Sequence, residues 1–385
     1  MAKIKFLKAS AYYTDYLKQF YNANPELAEA NYTTRYRALM DDFFASSDSW
    51  KRNLESIGPY QCREIITNDE FLQKSWAHEN NRPYSKANWK LDILESQIEE
   101  FQPDVFFAHD LIGITPEFRI KIKNKYPKIK IIVWDGVAKN DPNLVAGCDI
   151  VLSPLKSVTE FYQSQGFTSL HMMSGFDTKI LENIDKKKPN IDASFVGSVF
   201  GGAKRHNERL RYLSYLSRKT GLELFIPSLP SYSQLGKEIV KGVLGNKNKV
   251  FDSEEIYDIL YLKTKNRGAF YGIKMYQLLA DSKISFNSHI GSAGNQSGNM
   301  RMFEVTGVGS LLLTDWKENL SDLFEIDKEI VTYKSKEEAH EKISYYLEHE
   351  SERARIALAG QQKTMSAYNM QAVMTIFSNF LQANL

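Results

Sequence analysis

"SGNMRMFEVTGVGSLLLTD", residues 297–315, passes from one periodicity to another within a single short run. From Asn299 to Val308 apolar side chains recur at helical spacing, which turns Met302 and Val305 inward. Gly307 and Gly309 stop the helix, because glycine readily takes the backbone angles of a helix terminus. Ser310 to Thr314 is then an unbroken apolar run of strand length, bounded by Asp315, as expected of a parallel strand buried on both faces. Arg301 and Glu304, in the first turns, fit two accounts. Glu304 is either a surface carboxylate that suits the helix dipole or a hydroxyl-binding group at a ligand site.

Working outward, strand-like runs alternate with helix-like ones along the chain, the pattern of parallel α/β domains. In the first half, strands are predicted at Lys3–Leu7, Cys62–Ile66, Asp104–Asp110, Lys130–Gly136, Asp149–Pro154 and Leu170–Met173. Helices are predicted at Tyr32–Glu55, Tyr84–Phe101 and Ser157–Gly166. The polar, basic, proline-containing stretch "ENIDKKKPNID" (Glu182–Asp192) reads as a linker. After it the alternation restarts with strand Ala193–Ser198, a basic helix from Ala203 to Lys219, strand Leu222–Pro227 and an irregular stretch from Ser228 to Lys249. Helix Gly272–Ser282 then leads into strand Lys283–His289, and three helices close the chain at Lys336–Glu348, Ser351–Tyr368 and Met370–Ala383. The expected fold class is α/β, with two tandem Rossmann-like doubly wound domains facing a cleft, divided at residues 1–182 and 183–368.

Composition narrows the function. A chain of 385 residues exceeds one ordinary core, so two domains are the default. Hydrophobic and charged contents of 43% and 25% are those of a folded globular protein. A net charge of +2, with acids and bases interspersed, gives no footprint for nucleic acid. Cys62 and Cys148 stand far apart and without metal-ligand spacing, which suits a reducing compartment. The N-terminal "MAKIKFLKAS" is too short and too charged for a signal peptide, and no apolar run approaches the ~20 residues of a membrane span. A cytoplasmic location is expected, with peripheral contact at the inner face of the membrane left open.

In open parallel sheets ligands bind beyond the carboxyl ends of strands. Three turns in the second half suit a diphosphate there. In "GSVFGGAKR" glycines permit close backbone approach while Lys204 and Arg205 begin a helix. In "HIGSAGNQSGNMR" the strand ends at His289, and Gly291, Gly294 and Gly298 can offer N–H groups to an anion. Asn299 and Arg301 follow, and Glu304 can accept from two vicinal ribose hydroxyls. In "YGIKMYQ" Lys274 opens a helix, where a cation is unfavourable unless an anion sits beside it, although an exposed lysine also accounts for it. In the first half His109 and Asp110 end a strand, as a general base or a strand-end residue bonded to backbone would. Asp15 and Asp135 hold comparable, less specific positions. No Walker loop, HExxH, GxSxG or His/Cys metal cluster is present in the sequence.

The run "YGIKMYQLLADSKISFNSHIGSAGNQSGNMRMFEVTGVGSLLLTD" resembles the signature region of the CgeB-like glycosyltransferases, which carry a glycosyl transferases group 1-type C-terminal domain on the GT-B fold. "EIVTYKSKEEAHEKISYYLEHESERARIALAGQQKTMSAYN" and the N-terminal "YTTRYRALMDDFFASSDSWKRNLESIGPYQCREIITNDEFLQKSWAHEN" extend the resemblance over nearly the whole chain. It implies a nucleotide-diphosphate sugar donor on the C-terminal domain and a glycan or glycolipid acceptor entering over the N-terminal one. It also implies that the last helix, residues 369–385, packs back on the first domain. Carried across, Glu304 matches the ribose carboxylate, and Asn299 and Arg301 match polar positions near the diphosphate. Lys204, Arg205 and Arg209 match basic positions that point at phosphates. Retaining relatives often carry a second glutamate eight positions earlier, where this chain has Gln296.

The expected chemistry is sugar transfer without metal or other cofactor, cations and backbone amides stabilising the leaving diphosphate. His109 or Asp110 would be the base if the reaction inverts. The resemblance suggests surface polysaccharide or glycoconjugate synthesis. An epimerase or hydrolase of the same fold, and a non-catalytic two-domain binding protein, are the rival readings. An acceptor groove lined by Tyr12, Tyr13 and Trp50 would favour the transferase.

Overall fold

The computed structural model describes residues 3–138, 141–185, 187–199, 207–243, 250–289 and 294–385. It contains two parallel sheets. The first is built from β1 (Ile4–Ser10), β2 (Tyr60–Ile66), β3 (Val105–Ala108), β4 (Lys130–Trp134), β5 (Ile150–Ser153) and β6 (Thr168–His171), in the order β2-β1-β3-β4-β5-β6. The second is built from β7 (Ile191–Val196), β8 (Glu223–Phe225), β9 (Ser282–Asn287), β10 (Leu311–Asp315) and β11 (Val331–Tyr333), in the order β11-β10-β9-β7-β8. Read from its own first strand, each sheet follows the same doubly wound path. The direction of winding reverses between β1 and β3 in one sheet and between β7 and β9 in the other. Such switch points open a crevice at the carboxyl ends of the strands. Helices cover both faces of a sheet of this kind, so its central strands are apolar throughout, and every residue of β3 and of β5 is buried.

The chain divides into one unit of Met1–Asp177 with Asn369–Leu385, and a second of Thr178–Tyr368. The helix Met370–Gln382 therefore belongs to the first unit. Asn369 caps it, its side chain accepting from the Ala372 N–H at 2.9 Å. Met370, Val373, Met374, Phe377 and Leu381 are buried with Phe6, Trp50, Leu54 and Phe107 in one core. Phe377 meets Trp50 edge-on at 5.1 Å and Phe6 at 5.8 Å.

The sequence expectations fail in specific places. The helix expected over Tyr32–Glu55 is two helices, Tyr32–Asp41 and Ser49–Ile57. Between them Phe43, Ala45 and Ser47 take φ values of 56°, 53° and 44°, the left-handed region that side chains ordinarily avoid. Tertiary packing enforces this. Phe44 stacks on Tyr16 at 3.8 Å and meets Tyr12 edge-on at 4.9 Å, while the Ser47 hydroxyl donates to the Met40 carbonyl at 2.5 Å. The stretch expected to be irregular, Ser228–Lys249, contains the helix Tyr232–Val243. Helices Glu70–Glu79 and Ser253–Lys265 are additional, the latter opened by a capping box between Asp252 and Glu255. Gly307 lies buried within the helix Arg301–Val308, and Gly309 alone stops it, at φ 88°.

Candidate functional site

The second unit's switch point is held by a buried arginine. Arg209, near the start of helix Asn207–Thr220, is nine-tenths buried and reaches across from β7 to β9. One Nη donates to the carbonyl of Ser198, just past β7, at 2.7 Å, and the other to the carbonyl of Ser288, just past β9. The guanidinium lies 6.0 Å over the Phe195 ring. Among the described residues no carboxylate bonds it, and its Nε–H is buried with no acceptor. Burial lowers its pKa to about 10, with Tyr333 and Asp315 opposing and Arg301 adding to the fall, so the group remains a cation at neutral pH. A desolvated cation fixed by two carbonyls, with one donor unused, is half of an anion site.

Beside it His289, just past β9, joins Asp315 and Ser297 in a three-residue relay. His289 Nδ1 lies 2.7 Å from Asp315 Oδ1, which also accepts the His289 backbone N–H at 2.8 Å. His289 Nε2 lies 2.6 Å from the Ser297 hydroxyl. Serine, histidine and aspartate stand in the order of a hydrolytic triad. Ser297 is fully buried, however, and its own backbone N–H and C=O are clamped by the Asn319 side chain at 2.7 and 2.8 Å. A nucleophile needs an approach to its oxygen, and this one is buried, so the relay ties His289 and Ser297 to Asp315 at the end of β10. Burial alone would raise the Asp315 pKa. The hydrogen bonds from His289 and the Lys317 ammonium at 3.3 Å hold it at about 2. A depressed carboxylate adds stability above its unfolded value near 3.8 and loses it as pH falls through 2. Asp315→Asn is therefore expected to remove roughly 2 kcal/mol at neutral pH and to flatten the acid limb of the stability curve. Urea titrations at a series of pH values check this, and an acid limb unchanged in the variant would assign the loss elsewhere.

The residues anticipated from sequence are distributed as follows. Arg301 Nη1 pairs with Glu304 Oε2 at 2.7 Å and lies 3.0 Å from the Met275 sulfur. Glu304 is buried, and its other oxygen accepts the Tyr276 hydroxyl at 3.2 Å, a partner that sequence reasoning did not single out. Asn299 donates to Asn287 Oδ1 at 3.1 Å, and Asn287 donates to Thr314 Oγ1 at 2.9 Å. Asn299 Oδ1 is buried with no partner among the described residues. Gly294 is exposed at φ 63°, and Lys274 is exposed with no partner among the described residues. Lys204, Arg205 and Gly291 lie outside the described residues. His289, Asn299, Arg301, Glu304 and Arg209 thus stand on the elements that leave or face β9. A bare sequence offers no sign of which carbonyls Arg209 clamps, although its place on the basic helix was visible.

In the first unit His109 follows β3 directly and donates its backbone N–H to the Ala9 carbonyl at 2.9 Å. Its ring stands 5.2 Å from Phe107 and 5.9 Å from Trp134. Desolvation, with the Lys8 charge adding to it, lowers its pKa to about 3, so the imidazole is neutral through the physiological range and a weak base. Asp110 Oδ1 accepts the Gly113 N–H at 2.9 Å. Asp135 is occupied by the Tyr162 hydroxyl at 2.7 Å. Asp15 is exposed in the first turn of helix Thr14–Ala23. Trp50 is buried in the core with helix Met370–Gln382, whereas Tyr13 is exposed. Among the described residues no three His, Cys, Asp or Glu side chains are placed to hold a metal. No described helix is long and apolar enough to cross a membrane.

Comparison with solved structures settles the architecture. Anabaena HepE, solved in complex with UDP-glucose, superposes with a TM-score of 0.57 over 99% of this chain and 100% of its own, at 11% identity. The glycosyltransferase from Rickettsia africae ESF-5 gives 0.56 over 99% of both chains, at 11% identity. Sucrose-phosphate synthase from Thermosynechococcus elongatus gives 0.54 over 99% of both, at 8% identity. The fold is GT-B. Within this GT-B chain, residues 233–379 match the family model described as glycosyl transferase-like. That segment contains β9, β10, β11, Glu304 and the Ser297–His289–Asp315 relay. Among curated proteins, none matches the sequence.

Proposed function

We propose that the chain is a glycosyltransferase of the CgeB-like kind that takes a sugar from a nucleotide-diphosphate donor and passes it to a glycan or glycolipid hydroxyl. The observation that carries this reading is Arg209, a buried guanidinium with no carboxylate on it and one N–H unused at a switch point. A diphosphate supplies the missing charge and acceptor. The GT-B fold and the glycosyl transferase-like segment support the same reading. As the glycosidic bond breaks, negative charge grows on the leaving diphosphate, and Arg209, together with Lys274, Lys204 and Arg205, would stabilise it more in the transition state than in the ground state. No metal is needed for that role. Glu304 would receive the ribose hydroxyls, which requires sharing oxygens now held by Arg301 and Tyr276. On the acceptor side a base is required if the reaction inverts. His109, with its low basicity, suits hydrogen bonding to the attacking hydroxyl, which leaves Asp110 as the proton acceptor. A cytoplasmic enzyme, in peripheral contact with the inner membrane face when its acceptor is a lipid, fits this chemistry.

Thermal stabilisation by UDP, GDP, dTDP, CMP and ADP tests the proposal. A ligand at ~100 times its dissociation constant adds about 2.7 kcal/mol to stability. One nucleotide is expected to stabilise the native chain and to lose most of that effect in Glu304→Ala. No stabilisation by any of them would bring forward the reading of a non-catalytic binding protein.

A further inference from the structure

Among the described residues sixteen large apolar side chains are exposed, and six of them lie between residues 232 and 260 of the second unit. They are Tyr232, Ile239, Val240, Val250, Tyr257 and Leu260, with Tyr232 69% exposed, Tyr257 62% and Val240 57%. A single exposed apolar residue needs no account, but a patch on two adjoining helices does.

Helices Tyr232–Val243 and Ser253–Lys265 form an antiparallel hairpin. At one end Lys263 Nζ lies 4.7 Å over the Tyr232 ring and donates to the Pro230 carbonyl at 2.9 Å. Towards the other end Glu238 Oε2 accepts the Val250 N–H at 2.6 Å. Leu235 from the first helix and Ile256, Ile259 and Leu262 from the second are buried in the core of the unit. That is the inward apolar face that any amphipathic helix presents. Tyr232, Ile239 and Val240 on the first helix, with Tyr257 and Leu260 on the second, make a further apolar ridge on the solvent side. Helices that are apolar on two sides are normally covered on both.

Charge identifies the cover. Glu238 is held by Lys241 at 2.7 Å, Asp252 and Glu255 by Arg211 at 3.1 and 3.8 Å, and Asp258 by Arg218 at 3.4 Å. Arg218 also lies 4.9 Å over Tyr257 and 4.1 Å over Tyr261. Lys237, Lys263 and Lys265 have no acidic partner among the described residues, against Glu254 as the one acid of the hairpin in the same position. The ridge is thus bordered by uncompensated cations and by tyrosines. Protein interfaces are poor in lysine, whereas tyrosine and lysine together belong to the boundary between water and lipid. We propose that this hairpin is the surface by which the protein lies on an anionic membrane. Ile239, Val240 and Leu260 enter the edge of the acyl region, and Lys237, Lys263 and Lys265 meet the headgroups. The assignment deepens the peripheral contact named above and rests on that reading for its partner, a cytoplasmic leaflet.

Flotation of the full chain with vesicles of phosphatidylcholine and phosphatidylglycerol in equal parts tests this, with pure phosphatidylcholine vesicles alongside. The protein is expected to float with the anionic vesicles, less as salt rises, and to stay behind with the neutral ones. Ile239→Ser/Val240→Ser should weaken the partitioning about tenfold, and Lys237→Glu by a similar factor of about ten. Both variants should keep the native melting temperature, because all three side chains are exposed. No flotation with anionic vesicles, flotation unchanged in both variants, or equal flotation with neutral vesicles would each overturn the assignment. Sedimentation equilibrium on the same samples covers the other occupant. A dimer that Ile239→Ser/Val240→Ser turns into monomer would give this face to a second copy, and the membrane assignment would fall. Nucleotide stabilisation keeps the failures apart. If it persists without flotation, the donor reading stands and only the membrane surface is lost.

Discussion

Arg209→Lys is expected to remove most of the stabilisation that a nucleoside diphosphate gives the native chain, raising its dissociation constant by about two orders of magnitude. The guanidinium spans two carbonyls, those of Ser198 and Ser288, and its buried Nε–H has no acceptor among the described residues. A lysine is a point charge at the end of a flexible stem and cannot bridge two fixed carbonyls while also facing a ligand. Truncating one partner of a desolvated charge pair costs about 2–5 kcal/mol, which spans the factor given. The variant should also lose some intrinsic stability, because the clamp between the ends of β7 and β9 is broken, so binding must be read by calorimetry and not by melting temperature alone. Arg209→Met is the sharper control, since it keeps bulk and removes charge. Native affinity for the nucleotide in that variant would sink the idea that this cation holds the diphosphate.

The largest effect on stability is expected at Lys8. It forms a buried ion pair with Glu64, both side chains being almost wholly inaccessible. Lys8→Met should destabilise the first unit by about 3–5 kcal/mol, because it leaves a carboxylate buried without its cation. Burial already raises the Glu64 pKa, outweighing the opposing pull of Lys8, so the pair is costly even when intact. The double change Lys8→Met/Glu64→Leu should therefore regain nearly all of the loss, and a cycle of urea unfolding curves on the four proteins measures the coupling. Equal losses in the single and double variants would show that the ion pair is not what the single change disrupts. Lys8 also donates to the Ser46 hydroxyl, so Lys8→Met should loosen the loop in which Phe43, Ala45 and Ser47 take positive φ.

These two residues show what a sequence does and does not disclose. Stretches such as Val105–Ala108 and Leu311–Thr314 are apolar without alternation, and only strands covered on both faces read that way. With glycine-marked helix ends such as Gly309, that was enough for the fold class. Lys8 looks like an ordinary polar position in "IKFLKAS", because its partner is 56 residues away and is fixed by strand register, which local pattern does not encode. The break at Phe43–Ser47 carries neither glycine nor proline, and aromatic packing from Tyr12 and Tyr16 imposes it. The capping box at Asp252 and Glu255 is a local pattern, yet the helix it opens was not anticipated. At the candidate site, glycine spacing and charge placement brought out Asn299, Arg301 and Glu304. Tyr276 and Asp315 matter through contacts made across sheets and loops, so their types alone gave no signal.

The chain enters the second unit after Asp177 and returns at Asn369, and the two crossing points are joined by a parallel bridge between Phe176 and Asn369, with the Met370 N–H on the Phe176 carbonyl at 2.9 Å. Topologically the second unit is an insertion into the first. During synthesis it can complete its core from one continuous stretch, whereas the first unit waits for Met374, Phe377 and Leu381 to fill the space beside Phe6 and Trp50. The nascent first unit thus exposes an apolar furrow for as long as some two hundred residues take to emerge, an interval of roughly ten to forty seconds at ordinary elongation rates. The order in which the two units mature is the reverse of their order in the gene, and chaperone dependence should concentrate in the half that is made first.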